Sequence, residues 1–222
     1  MYLLLAEIYY IMEDLFLLFR NLTFVSFGNS YFCTLAIMRI NRENTIGLVI
    51  DMQEKLIPTI INHQGIINNT VILLKGLKKF QSPIVVTQQN TNGLGSTVPV
   101  INKTIGNFSY IEKTKFSCYR EPAFIRVLNR IGKRNVIIMG IEAHVCVLQT
   151  ALDLMYNNFN PVIVEDCIGS ANENDKKVSL WRMRDVGSVI TTCESILFEL
   201  CRESGTDEFR EILKLVKERK DA

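Results

Sequence analysis

Four segments of the chain are short, continuous apolar runs that stop abruptly at polar residues. TIGLVID (45–51), PIVVTQ (83–88), NVIIMG (135–140) and PVIVED (161–166) share this form, and SVITT (188–192) is a fainter copy. Runs of this length, rich in Val and Ile, suit strands buried on both faces of a parallel sheet. Between them the apolar period becomes helical. Ile67, Val71, Leu74 and Leu77 form one stripe before Pro83. Phe124, Val127, Leu128 and Ile131 form a second, opened by Glu121-Pro122 and closed by Gly132. Leu148, Leu152, Met155 and Phe159 form a third before Pro161. Phe209, Ile212, Leu213 and Val216 share a face near the C-terminus.

Alternating strands and helices predict a three-layer α/β/α domain, Rossmann-like, around a doubly wound and mainly parallel sheet. Right-handed crossovers carry the C-terminal ends of the strands to one edge. Ligands bind at that edge in open α/β sheets. Asp51 closes the first strand and Cys146 follows the NVIIMG strand, so the topology assigns both to it. There is no internal repeat and no low-complexity linker.

Residues 1–37 break the pattern. They are rich in Leu, Phe and Tyr, but Glu7, Glu13, Asp14 and Arg20 interrupt the apolar runs. They lack a basic leader region and fall short of the ~20 uninterrupted apolar residues a membrane helix needs. The expectation is an N-terminal extension over 1–37, a start at Met38, and one domain over 38–222.

Composition narrows the function classes. At 222 residues and 48% apolar content, the chain can bury a sizeable core. Its net charge is +2 without any Lys/Arg-rich run, which gives no support for a nucleic-acid or membrane partner. None of the six cysteines forms a CxxC pair, and His63 and His144 are the only histidines. That spacing does not suit zinc, so no metal or other cofactor is expected. Free cysteines in a chain of this size fit a reducing, cytoplasmic compartment.

Some of the chemistry is legible locally. In GIEAHVCV (140–147) a strand ends at Gly140 and a helix follows. Cys146 is therefore expected near the helix start, where free N–H groups and the helix dipole favour a thiolate. A buried small hydrophobe would suit the same pattern. Asp51 reads equally as a strand-end acid or a helix cap. Lys113 and Lys115 are rivals in EKTKFSCY that local sequence does not separate. His144 lies two residues before Cys146, and positions two apart on a helix do not face each other.

Taken in order, VIDMQEKL (49–56), EKTKFSCY (112–119) and GIEAHVCV (140–147) resemble the motifs of the isochorismatase-like cysteine hydrolase superfamily. TQQNTNGLGSTVPV (87–100), LQTALDLMYN (148–157) and RMRDVGSVITTCESILFEL (182–200) extend the resemblance over about residues 38–217. It is nearest to the small isochorismatase-domain-containing proteins. The resemblance implies Asp51 as general base, Cys146 as nucleophile and Lys113, rather than Lys115, as the charge partner. It implies a cis Ile141–Glu142 peptide, with the N–H groups of Glu142 and Cys146 as an oxyanion hole. Gln53, Gln89, Asn90 and Phe116 would line the pocket of a small-molecule substrate. The implied reaction is hydrolysis of an amide-like C–N bond through an acyl-enzyme, in a homo-oligomer. Metal-dependent nicotinamidases of the superfamily carry Asp-x-His and a further His. Here TQQNTNGLG holds neither, which again implies no metal. A non-catalytic member of the fold, working as a binding or assembly protein, is the competing expectation.

Overall fold

The computed structural model describes residues 22–27, 30–35 and 39–220. The chain divides into two compact units, one ending at Arg39 and one beginning at Ile40. In the first, β1 (Leu22–Phe27) and β2 (Ser30–Leu35) pair antiparallel, with Leu22 opposite Leu35 and Phe27 opposite Ser30. The expected start at Met38 and the rest of the expected extension lie outside the described residues.

The second unit is built on six parallel strands: β3 (Thr45–Ile50), β4 (Ile84–Gln89), β5 (Tyr110–Lys113), β6 (Asn135–Ile141), β7 (Asn160–Gly169) and β8 (Val189–Thr191). Their order across the sheet is β5-β4-β3-β6-β7-β8. The chain winds outward from β3 to one edge, then crosses to β6 and winds outward to the other. The topological switch point therefore falls between β3 and β6.

Every residue of β3 and β6 is buried, as expected of strands covered on both faces. Alternate side chains feed two separate cores. Val49, Ile137, Met139 and Val162 pack under α1 (His63–Lys79), α7 (Cys193–Cys201) and α8 (Asp207–Lys220). Ile46, Leu48, Ile50, Val136, Ile138 and Ile163 pack under α4 (Pro122–Ile131), α5 (Leu148–Tyr156) and α6 (Glu173–Asp185). Two short helices, α2 (Thr91–Leu94) and α3 (Pro99–Ile105), fill the β4–β5 crossover.

One strand was not foreseen, and two expectations need correction. The strand β5 is not an apolar run. It lies at the sheet edge with Tyr110 and Glu112 exposed and Lys113 buried, so it lacks the signature of the inner strands. The strand β7 runs to Gly169, beyond PVIVED. The buried face of α5 is Leu148, Ala151 and Leu154, whereas Leu152 and Met155 are only half-buried and Phe159 lies past the helix end. Gly132 closes α4 in the left-handed conformation at φ 69°, as a C-terminal glycine should.

Candidate active site

The site forms at the C-terminal edge of the sheet, across the switch point. The turn after β3 holds Asp51 at φ 51°, a left-handed conformation that aspartate tolerates better than most residues. Its N–H still donates to the Thr87 carbonyl of β4 at 3.2 Å, so the residue stays anchored to the sheet. On the other side, Gly140 stands next to the end of β6, with φ 145°. A Cβ there would lie 2.3 Å from the Ile50 carbonyl oxygen, so only glycine allows the two strand ends to approach. The Ile141–Glu142 peptide that follows is cis.

Cys146 lies in a π-helical turn, Ala143–Val147, before α5 begins. In this turn the Glu142 carbonyl accepts from Val145 at 3.1 Å and Val147 at 3.2 Å, passing over the N–H of Cys146. The Cys146 side chain is 7% exposed, and those of Asp51 and Lys113 are closed off from solvent.

The third residue comes from the far edge. β5 is two strands from β3, roughly 10 Å away at ordinary strand spacing. The extended Lys113 side chain covers that gap. Its Nζ stands 2.6 Å from Asp51 Oδ2 and 3.5 Å from Cys146 Sγ. It also donates to Gln89 Oε1 at 2.6 Å and to the carbonyls of Lys115 and Phe116 at 3.2 Å. The end of β5 decides between the two lysines, since alternation alone would give residues 113 and 115 the same face. Lys113 turns inward, while Lys115 sits on the exposed loop and donates to the Arg120 carbonyl.

Burial sets the electrostatics. It raises the Asp51 pKa above the usual carboxylate value, against the lowering pull of Lys113 and of hydrogen bonds from Lys113, Thr87 and Cys146. Burial opposes the Lys113 charge, but attraction to Asp51, followed by Cys118 and Cys146, leaves its pKa raised. The Cys146 thiol is also pushed up, by burial first and then by the Asp51 charge, with Lys113 offsetting only part. Burial thus works against the favour that a helix start lends to a thiolate. The Asp51 carboxyl and the Lys113 ammonium stand 2.6 Å apart, with the Cys146 sulfur 3.5 Å from the same ammonium.

The residues expected to line a pocket divide. Gln53 is fully buried and its amide is spent on the protein. Its Nε2 donates to the carbonyls of Gln89 and Gly95, and its Oε1 accepts from the Gln89 N–H. Gln89 carries Lys113 on Oε1 and donates Nε2 to the Thr114 carbonyl. Gln89 thus braces the lysine, and Gln53 holds the Gln89 backbone. Asn90 is an exposed turn residue at φ 41° whose amide lies against Gly93. The Phe116 ring is 53% exposed, beside a hollow of about 250 Å³ shared with Gln149 and Leu152. His144 points away from Cys146. Its Nδ1 is 3.0 Å from Ser170 Oγ and 3.6 Å from Glu142 Oε2.

Sequence reasoning missed Thr87, whose hydroxyl donates to Asp51 Oδ1 at 2.9 Å, and Cys118, whose Sγ lies 3.7 Å from that hydroxyl. A β-branched residue inside a strand run reads as sheet filling, so no local signal marked Thr87. Among the described residues, no group of three His, Cys, Asp or Glu side chains could hold a metal, and no helix is long and apolar enough to cross a membrane.

Residues 45–195 match the Isochorismatase domain. Isochorismatase family protein 1B of Dictyostelium discoideum is 33% identical over 187 residues, covering 82% of this chain and 91% of that protein. A structure described as MAR1 ribonuclease from Caenorhabditis elegans superposes with a TM-score of 0.76 at 35% identity, covering 81% of this chain and 92% of that one. The YcaC gene product of Escherichia coli, described as an octameric hydrolase of unknown specificity, shares the fold with a TM-score of 0.78 at 23% identity, covering 85% and 96%.

Proposed function

The chain belongs to the isochorismatase family, and on that premise we propose that it is a cysteine-nucleophile hydrolase acting on an amide-like C–N bond of a small molecule. The supporting observation is the shared ammonium. Lys113 Nζ stands 2.6 Å from Asp51 and 3.5 Å from Cys146, with all three side chains buried.

The reaction exchanges ion pairs. Asp51, made more basic by burial, takes the Cys146 proton. The negative charge moves from carboxylate to sulfur, and Lys113 stays within reach of both, so the buried site keeps its net charge. The thiolate attacks the substrate carbonyl. The N–H groups of Glu142 and Cys146 receive the oxyanion. Asp51 returns its proton to the leaving nitrogen as the C–N bond breaks. Water, deprotonated by Asp51, then attacks the thioester and releases the acid. Phe116 is the proposed substrate wall, since its carbonyl braces Lys113 while its ring stays exposed.

The ribonuclease name of the Caenorhabditis elegans relative stays with that protein. Phosphoryl chemistry needs cations free to hold several charged oxygens. Among the described residues, Lys113 is the cation seated between Asp51 and Cys146, and it is already paired. We further propose a cytoplasmic homo-oligomer, in line with the octameric Escherichia coli neighbour. Light scattering that gives a monomer would overturn the assembly.

The test of activity is an amide and ester library assayed for ammonia or acid release, run beside iodoacetamide labelling. Turnover together with stoichiometric labelling of Cys146 supports the hydrolase. No turnover, with labelling no faster than at Cys193, supports the non-catalytic binding protein.

A further inference from the structure

Two buried groups stand behind the general base, and the proposed reaction uses neither. Thr87 is fully buried in β4, beside the end of β3, where it pairs with Ile50. Its hydroxyl donates to Asp51 Oδ1 at 2.9 Å, while Lys113 occupies Oδ2. Behind Thr87 lies Cys118, also fully buried, with Sγ 3.7 Å from Thr87 Oγ1. Cys118 is pinned in turn by its N–H, which donates to Thr150 Oγ1 of α5 at 2.9 Å.

Proton counting orients this chain. A threonine hydroxyl has one proton, and an ionised carboxylate only accepts. Thr87 must therefore spend its proton on Asp51, which leaves its oxygen free to accept from a neighbour. The Cys118 thiol supplies that donor. Burial and the Asp51 charge push its pKa up to about 11, so it keeps its proton. The order is Cys118 S–H to Thr87 O–H to Asp51 Oδ1, with every member shut off from water.

We propose that Thr87, backed by Cys118, is a positioning residue for the general base: it keeps one carboxylate oxygen of Asp51 engaged, and so sets the pH at which Asp51 accepts the proton of Cys146. The inference rests on the reading of Asp51 as base to Cys146. The hydroxyl stabilises the ionised carboxylate, holding down a pKa that burial raises. Without it, Asp51 would stay protonated to higher pH.

The test is the pH profile of Cys146 alkylation by iodoacetamide, followed by peptide mass spectrometry from about pH 4 to about pH 9, with Cys193 as internal control. Thr87→Val should move the acid limb up by roughly one pH unit, the scale of one hydrogen bond to a charged group. Thr87→Ser, which keeps the hydroxyl, should restore the parent limb. Cys118→Ala should move the limb less, in the same direction, and Cys118→Ser should leave it near the parent. A uniform loss of rate in Thr87→Val with no movement of the limb would mean a merely structural role and overturn the proposal. Failure of Thr87→Ser to restore the limb would do the same. If Thr87→Val does not fold, the two Cys118 variants carry the test, and equal limbs in both would overturn the backing role. A parent protein whose Cys146 reacts no faster than Cys193 would instead overturn the base assignment itself, an outcome visible before any Thr87 variant is made.

Discussion

Two lysine–carboxylate pairs mark opposite extremes of this molecule. On the surface, Lys79 of α1 and Glu211 of α8 approach to 2.9 Å, each side chain about half exposed. At the sheet edge, Lys113 and Asp51 approach to 2.6 Å with neither side chain exposed. The distances are close, but the energetics are not. Water screens the outer pair and can replace either partner, so the bond contributes little. No water replaces a partner of the inner pair, and losing one strands a charge in the core. A buried ion pair is weak evidence of a stability device, because well-packed apolar side chains often do as well. The inner pair is better explained by its third member, the Cys146 sulfur 3.5 Å from the same ammonium.

Substitutions can break or sharpen this contrast. The largest effect is expected from Cys146→Ser. Turnover should fall by roughly a thousandfold or more, while the melting curve stays near the parent because sulfur to oxygen is a small volume change. Parent-rate turnover of this variant would remove the chemical reason for keeping the inner pair.

Next comes Lys113→Met, which strands Asp51. Chemical denaturation should record a loss of about 3–5 kcal/mol. Adding Asp51→Asn should recover part of it, since the stranded charge is then gone. A double variant as unstable as the single one would show that packing, not charge, carries the cost.

Cys118 offers a smaller and pH-dependent effect. Its thiol, near 9.0 when unperturbed, is pushed up to about 11 in the fold. Above pH about 9 the unfolded chain releases this proton while the folded chain retains it, so stability falls as pH rises. Across that window Cys118 should cost about 3 kcal/mol of stability. Cys118→Ser, which does not titrate there, should flatten the slope by that amount and keep most of the activity. Equal slopes in the two proteins would mean that Cys118 ionises in the fold as freely as in the unfolded chain.

The smallest effect is expected from Lys79→Met. Its melting temperature should match the parent within experimental error, because the outer pair is screened. A loss as large as that of Lys113→Met would collapse the comparison.

Much of this was written in the order of apolar residues. Fully buried β3 and β6 are polar only at their first residues, Thr45 and Asn135, so their Val and Ile runs announced both the strands and the three-layer class. Motifs at the ends of those strands assign Asp51 and Cys146 to a shared edge. What local sequence left open was the third residue. Edge strands are only half-covered, and β5 carries its chemistry on an alternation of exposed and buried residues too short to read. The lysine motif favoured Lys113 by resemblance. The inward side of β5 supplies the physical reason.

The rest depended on pairing across the sheet, which no single segment encodes. Strand order brought β3 beside β6 and set the switch point at the site. Register put Thr87 next to Ile50 and its hydroxyl against Asp51. The same pairing made Gln89 a brace for Lys113 and set the buried Gln53 amide on the Gln89 backbone, because a buried amide must find partners. Burial also pushes the Cys146 thiol up, an effect of its neighbours in the fold that the local sequence does not show. The sequence by itself determined which residues carry apolar surface and which carry reactive groups. Only the tertiary structure decided which of those groups share a dry site, because protonation states and hydrogen-bond partners are set by neighbours distant in the chain.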